Sequence, residues 1–209
     1  MAGRGRLIAL EGVDGCGKTT QARLLADTLP ALYTSEPGAT ALGSRLRRLL
    51  LDPDLPTVSA RAEALLMAAD RAEHVDEVIV PALDAGRWVV TDRFSGSTLA
   101  YQGHGRGLDL GALRALVTWA AGGLVPDLVV LVDVPVEVAR RRLGASRPDR
   151  FEGLDAGFHA RVRDGFLALA AEDAERWVVV DGTGDAAAVA AAVCSVVGRL
   201  GAPPTGARP

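Results

Sequence analysis

The segment that most restricts how this chain can fold is "IALEGVDGCGKTTQARLLADTL", residues 8–29. An apolar run of strand length ends at Glu11, a glycine-rich turn follows, and the turn opens into a pattern of helical period. Gly12-Val13-Asp14-Gly15-Cys16-Gly17-Lys18-Thr19 satisfies G-x-x-x-x-G-K-[ST] between a strand and a helix, the context that defines a phosphate-binding P-loop. Glycines let the backbone curl so that N–H groups converge, and the helix N-terminus adds partial positive charge. Lys18 is then expected at the β- and γ-phosphates and the Thr19 hydroxyl at Mg²⁺, with Thr20 beside them in the first helical turn. The expected ligand of residues 12–20 is a nucleoside triphosphate with Mg²⁺.

The rest of the chain continues the alternation. Runs at 6–11, 31–35, 87–92, 128–133 and 176–181 read as strands. Helical patterns fall near 17–29, 41–51, 59–85, 109–122, 135–144, 155–175 and 185–199. Such alternation predicts an α/β fold: a three-layer, doubly wound, parallel five-stranded sheet with helices on both faces. The runs ending at Asp92, Asp133 and Asp181 are continuous and apolar, as expected of strands buried on both faces. Ligands in these sheets bind beyond the carboxyl ends of the strands, where Gly12, Asp92 and Asp133 fall. Asp133 reads equally as the holder of a Mg²⁺-bound water or as a cap for the helix after Pro135.

At 209 residues the chain fits one domain, expected over 1–200, with a Gly/Pro-rich tail at 201–209 expected to fray. A net charge of −3 argues against general nucleic-acid binding. Arginines nevertheless cluster at Arg45–Arg48 and Arg140–Arg150, which predicts a local anion site. Cys16 and Cys194 are too few for a disulfide framework. No apolar run has the length of a signal peptide or membrane span, so a cytoplasmic, membrane-free protein is expected. Cys16 reads either as a thiol activated by the helix N-terminus or as a small buried filler.

A P-loop alone serves kinases, GTPases, motors and switches; a GTPase would carry an N-K-x-D guanine reader, which this sequence lacks. Asp92 and Arg93 end a strand beside the P-loop, where a guanidinium can grip phosphate oxygens bidentately. The plainer reading is a structural ion pair. Met67, Arg71 and His74 recur at i, i+4 and i+7 and share a helix face; Ala62, Leu66, Ala69 and Val78 form an apolar stripe on another. Spacing alone favours a solvated polar face for His74. Residues 139–153 pack arginines around a Gly-Ala-Ser-Arg-Pro break, which predicts a mobile loop between two helices, a lid at about 144–154.

At this point the sequence resembles the thymidylate kinase family, bacterial type with the catalytic arginine in the lid, over nearly its whole length. "EGVDGCGKTTQ" is similar to the family P-loop, "SEPGATALGSRLRRLLLD" to its R-E-P-G-G-T segment, and "RAEALLMAADRAEHVDEVIVPALDAGRWVVTDRF" to its central helix and D-R-Y strand end. "STLAYQGHGRGL", "PDLVVLVDVPVEVA" and "DRFE" follow in the family's order. The resemblance implies transfer of the ATP γ-phosphate to dTMP. It places Glu36 near the acceptor phosphate and metal, Arg47 and Asp14 with the acceptor, and Arg71 at both the thymine edge and the phosphate region. Asp92 and Arg93 position the transferring phosphates, with Asp92 also at the metal. Met67, Ser97, Thr98 and Gln102 line the pyrimidine pocket, and Tyr101 excludes a ribose 2′-hydroxyl. Arg142 packs on adenine, and Arg147 and Arg150 belong to the lid and supply the catalytic cation. A homodimer formed through helices, including the 59–85 pattern, is also implied. Ser35, Met67 and Phe94 depart from the family's usual Arg, Phe and Tyr or His, all on the acceptor side. The alternatives are a kinase for another pyrimidine nucleoside monophosphate and, from a different class, a P-loop ATPase acting as a switch or binding module.

Overall fold

Alternate side chains of the apolar runs supply both faces of one sheet, as period-two geometry requires. The computed structural model describes residues 4–55, 57–144 and 148–201. Its strands are β1 (Leu7–Glu11), β2 (Leu32–Ser35), β3 (Val89–Asp92), β4 (Leu128–Asp133) and β5 (Trp177–Asp181), all parallel, in the order β2-β3-β1-β4-β5. Central β1 has Leu7, Ile8, Ala9 and Leu10 fully buried. Ile8, Leu10 and Val90 pack with Ala22 and Leu25 of α1 (Lys18–Thr28) and Val193 of α9 (Ala186–Val197). Leu7, Ala9 and Val89 pack on the opposite face against Val75, Ile79 and Leu83. The middle strands are therefore apolar on both faces and turn polar only at their carboxyl ends.

Edge strand β5 departs from that expectation. Val179 is 47 % exposed, because β5 has a partner on one side only. The 59–85 pattern is not one helix. It divides into α3 (Ala60–His74), a π turn over Val75–Ile79, and α4 (Val80–Asp84) carrying Pro81 in its first turn. The stripe Ala62, Leu66, Ala69 and Val78 faces no core: Ala69 is exposed and the others are half-buried. A further helical segment, α5 (Ser95–Thr98) continued by a π turn over Leu99–Gly105, lies where the sequence showed no helical pattern.

The remaining helices are α2 (Ala41–Leu51), α6 (Leu110–Ala120), α7 (Val136–Leu143) and α8 (Ala156–Glu172). Their starts are legible as caps: Thr40, Ser59, Asp109, Asp155 and Asp185 each accept a hydrogen bond from an N–H in the first turn of α2, α3, α6, α8 and α9. Of the expected lid, Ala145–Arg147 lie outside the described residues, as do 202–209 of the expected tail.

Candidate active site

Helix α1 begins without a side-chain cap: Gly17 holds the N-cap position, and no acidic residue occupies the first turn. The free N–H groups and dipole of that end are a ready anion site. Gly15 has φ +80°, and a Cβ there would lie 2.3 Å from the Ala139 carbonyl oxygen, so α7 itself demands a glycine. Gly17 has open space around it but φ +97°, so there the backbone conformation makes the demand. Lys18 is buried and lies over the loop, its Nζ donating to the Val13 carbonyl at 3.3 Å and 3.5 Å from Asp14 Oδ1.

Beside the loop, β3 ends in register with β1, Leu10 opposite Asp92. The Thr19 hydroxyl donates to Asp92 Oδ2, while Asp92 Oδ1 is buried and has no hydrogen-bond partner among the described residues. Arg93 follows in a left-handed conformation, φ +73°. Its amide donates to Leu10 O at 2.9 Å and its carbonyl accepts from the Thr91 hydroxyl at 2.8 Å. The guanidinium donates to Gly12 O (3.2 Å), Ser97 Oγ (2.8 Å), Asp14 Oδ1 (2.5 Å) and Tyr101 OH (3.2 Å). Tyr101 in turn donates to Asp14 Oδ2 at 2.7 Å. Burial by itself would raise the Asp14 carboxyl, but Arg93, Lys18 and Tyr101 hold it well below the usual carboxylate range. One loop carboxylate thus gathers both cations.

Glu11, at the end of β1, supports this cluster from beneath. Its Oε1 accepts from the amides of Phe94 and Ser97, each at 3.0 Å, and its Oε2 accepts from Ser97 Oγ at 2.6 Å. Burial pushes the Glu11 carboxyl from 4.5 up to about 7, against the opposing Ser97 hydrogen bond and Arg93 charge. A raised folded-state value means the folded protein holds this proton where the unfolded chain has released it. The stability attached to that proton is fully present below the unfolded value and is lost as pH rises through about 7. Glu11→Gln is therefore expected to flatten the decline in urea midpoint between about pH 5 and about pH 8. An identical decline in wild type and variant would assign it to other groups, such as Asp70, which burial also raises, to about 6.

Across the site, α3 supplies Arg71, which is buried. It donates from Nε to Glu36 Oε2 (3.0 Å), from one terminal nitrogen to Thr98 Oγ1 (3.1 Å) and from the other to the Phe94 carbonyl (3.0 Å). Phe94 lies buried beneath that guanidinium at 5.5 Å, supporting it from inside the core. His74 is not on a solvated face. It is fully buried, with Nδ1 donating to Glu36 Oε1 at 3.0 Å and Nε2 2.7 Å from Thr34 Oγ1. Both Glu36 oxygens are therefore engaged by Arg71 and His74, which leaves it poorly placed as the metal ligand expected from the sequence.

Two cavities flank the P-loop. The first gathers Asp14, Glu36, Arg47, Met67, Arg71, Arg93, Ser97, Thr98, Tyr101 and Gln102, all expected on the acceptor side, and adds Pro37, Leu51, Asp149 and Phe151. The second is lined by Cys16, Gly17, Thr20, Gln21, Arg142 and the turn between β5 and α9, Gly182 to Ala186. Arg142 spans its wall, donating to Cys16 O (3.2 Å) and Thr183 O (3.1 Å). That β5–α9 turn was missed; its sequence "DGTGD" after a strand at the carboxyl edge was the available signal.

Three further residues sit in surroundings that spacing did not reveal. Cys16 is 1 % exposed and burial pushes its thiol up, so it is the small filler and not an activated thiolate. Asp133 neither caps α7 nor stands free: Arg163 of α8 grips it bidentately, both bonds 2.8 Å. Arg150 does not reach the P-loop, because Glu63 holds it at 3.0 Å and its Nε donates to Leu50 O at 2.8 Å. Arg147, its expected companion, lies outside the described residues.

A family model described as thymidylate kinase matches residues 10–193. The thymidylate kinase of Carboxydothermus hydrogenoformans is 51% identical over 185 residues, 86% of this chain and 90% of that protein. That of Chromobacterium violaceum is 47% identical over 203 residues, covering 94% and 95%. The crystal structure of thymidylate kinase from Ehrlichia chaffeensis superposes with a TM-score of 0.77 at 32% identity, covering 93% of this chain and 99% of that one. Similarity of sequence and backbone thus runs through both cavities and the loop between them, and the chain belongs to the thymidylate kinase family.

Proposed function

We propose that the two cavities divide the substrates of this ATP-dependent nucleoside monophosphate kinase, with the P-loop as the shared wall. The observation that carries this reading is that one loop contributes to both. Asp14 lines the cavity with Arg47, Arg71 and Arg93, whereas Gly17 and Thr20 line the other with Arg142. ATP lies along the P-loop with its base beside Arg142. The acceptor dTMP lies with its phosphate toward Arg47 and Arg93 and its base between Met67, Phe151, Arg71 and Gln102. Tyr101, pinned between Asp14 and Arg93, fills the space a 2′-hydroxyl would need. The γ-phosphate passes to dTMP and gives dTDP and ADP.

The transfer needs no strong base. A phosphate monoester has its second ionisation near about pH 6, so the acceptor is already largely a dianion at neutral pH. The chain's task is to hold two anions in line, offset their repulsion and exclude water. Lys18 and Arg93 face that junction. A further cation from the lid, Arg147, completes the set in this reading, while Arg150 anchors the lid's base through Glu63.

Thr19 and Asp92 fit Mg²⁺: both offer hard oxygen donors, and the buried partnerless Asp92 Oδ1 is suited to a metal-bound water. When bound, the ion neutralises charge on the β- and γ-phosphates. We read the described chain as one domain on a single sheet. Exposed Leu42, Leu49, Leu65 and Trp119 on α2, α3 and α6 support a homodimer through those helices. Among the described residues no helix is long and apolar enough to cross a membrane, and a cytoplasmic location accords with a nucleotide precursor enzyme.

ADP release measured with dTMP, dUMP, dCMP, UMP and no acceptor tests the assignment. The expected order places dTMP first and gives little ADP without acceptor. A better rate with another monophosphate replaces the substrate; equal ADP without acceptor favours the ATPase reading.

A further inference from the structure

We infer that Glu63 is a positioning residue that sets base selectivity by fixing which end of the Gln102 amide faces the acceptor. The inference rests on the acceptor base lying against Gln102, as proposed above. Glu63 sits on α3 with no exposed surface, an unusual place for a carboxylate. Its Oε1 accepts from Gln102 Nε2 at 2.8 Å and from Arg106 Nε at 3.2 Å; its Oε2 accepts from Arg106 at 3.0 Å and faces Arg150 at 3.0 Å. Two guanidiniums thus pair with one buried carboxylate, and each is itself seated on an aromatic ring: Arg106 over Phe158 at 5.0 Å, Arg150 over Phe151 at 4.8 Å.

An amide can present either its carbonyl or its NH₂, but a carboxylate whose oxygens both face guanidinium donors offers only acceptors. Gln102 must therefore turn its NH₂ toward Glu63, which leaves its carbonyl oxygen as the group offered to the cavity it lines. A fixed carbonyl there suits a ring edge that carries N–H. Thymine and uracil have N–H at ring position 3, whereas cytosine has a bare acceptor nitrogen at that position. A cytosine would set two lone pairs against each other in a buried site, the arrangement that discriminates most strongly. The same carboxylate grips Arg150, and neighbouring Asp149 and Phe151 line the cavity, so base reading and the base of the lid share one anchor.

In Glu63→Gln either amide can turn, and the fixed acceptor is lost. The selectivity for dTMP over dCMP, as a ratio of kcat/KM, is expected to fall at least about tenfold. The loss appears in KM for dTMP, while KM for ATP stays within about twofold. Gln102→Leu is expected to lose the same selectivity, and the double variant to lose no more than either alone, because one residue acts through the other. If Gln102→Leu collapses the ratio while Glu63→Gln preserves it, Glu63 is a structural anchor only and the inference fails. Should Gln102→Leu itself leave the ratio intact, the base does not lie against Gln102, and the placement of the acceptor fails with it. Glu63→Asp provides the same comparison where Glu63→Gln does not fold: it keeps the charge for both arginines but withdraws the carboxylate from Gln102 by one methylene.

Discussion

Arg93→Ala is expected to lower kcat/KM for dTMP by at least about a hundredfold, equivalent to about 2.7 kcal/mol of lost transition-state stabilisation. The expectation rests on how much structure is spent on one side chain. Its backbone is held left-handed, a conformation that costs roughly 1–3 kcal/mol for a residue with a Cβ and persists where its surroundings fix it. Two backbone bonds, to Leu10 and from Thr91, secure it, and Glu11 fixes the amides of the next turn. The guanidinium then lies 5.0 Å over the Tyr101 ring within the acceptor cavity, with its donors fanned toward the P-loop. Preorganised donors at the place where charge is transferred contribute most to such reactions. Arg93→Lys keeps the charge but not the planar fork, and is expected to recover only a small part of the loss. The measurement is initial rate over a range of dTMP, with thermal unfolding as the control for folding. Near-normal turnover in a folded Arg93→Ala protein would remove Arg93 from the reaction.

What the sequence made legible was local. The P-loop follows from spacing, the sheet from apolar runs, and most helix starts from Thr, Ser or Asp at the cap. Residues 95–105 were opaque for a physical reason. "SGSTLAYQGHG" offers glycines and small polar residues without helical period, and its first turn has no cap of its own. Glu11, far away in sequence, accepts the amides of Phe94 and Ser97 and does the capping instead. His74 was misread for the same reason, and Glu63 carried no signal at all. A charged or polar residue on a helix reads as solvated, and only the strand or helix opposite decides otherwise: Thr34 and Glu36 for His74, Arg106 and Arg150 for Glu63. The acceptor residues, by contrast, were named through resemblance, and the fold brings all of them to one cavity. Spacing on α3 had joined only Met67, Arg71 and His74. Non-local partners are what a one-dimensional pattern leaves out.

Asp92→Asn is the second large effect expected, and it isolates the metal from the general electrostatics of the site. The Thr19 hydroxyl donates to Asp92 Oδ2, which an asparagine carbonyl accepts equally well, so the contact between β3 and α1 survives. What changes is the other oxygen. Oδ1 is buried without a partner among the described residues, a costly state for a carboxylate unless a cation or its water satisfies it. In Asn that lone pair becomes an N–H donor, which repels a cation and cannot accept from its water. The expected result is a fall in kcat of about a hundredfold at physiological Mg²⁺, comparable to loss of one transition-state contact. The Mg²⁺ concentration giving half-maximal rate should rise with it, and Mg²⁺ should strengthen ATP binding less than in wild type, which is measurable by calorimetry without turnover. Thr19→Val removes the hydroxyl and should shift both quantities in the same direction. If Asp92→Asn slows turnover but leaves the Mg²⁺ dependence of rate and of ATP binding unchanged, Asp92 acts by holding Arg93 and α1 in place, and the metal is held elsewhere.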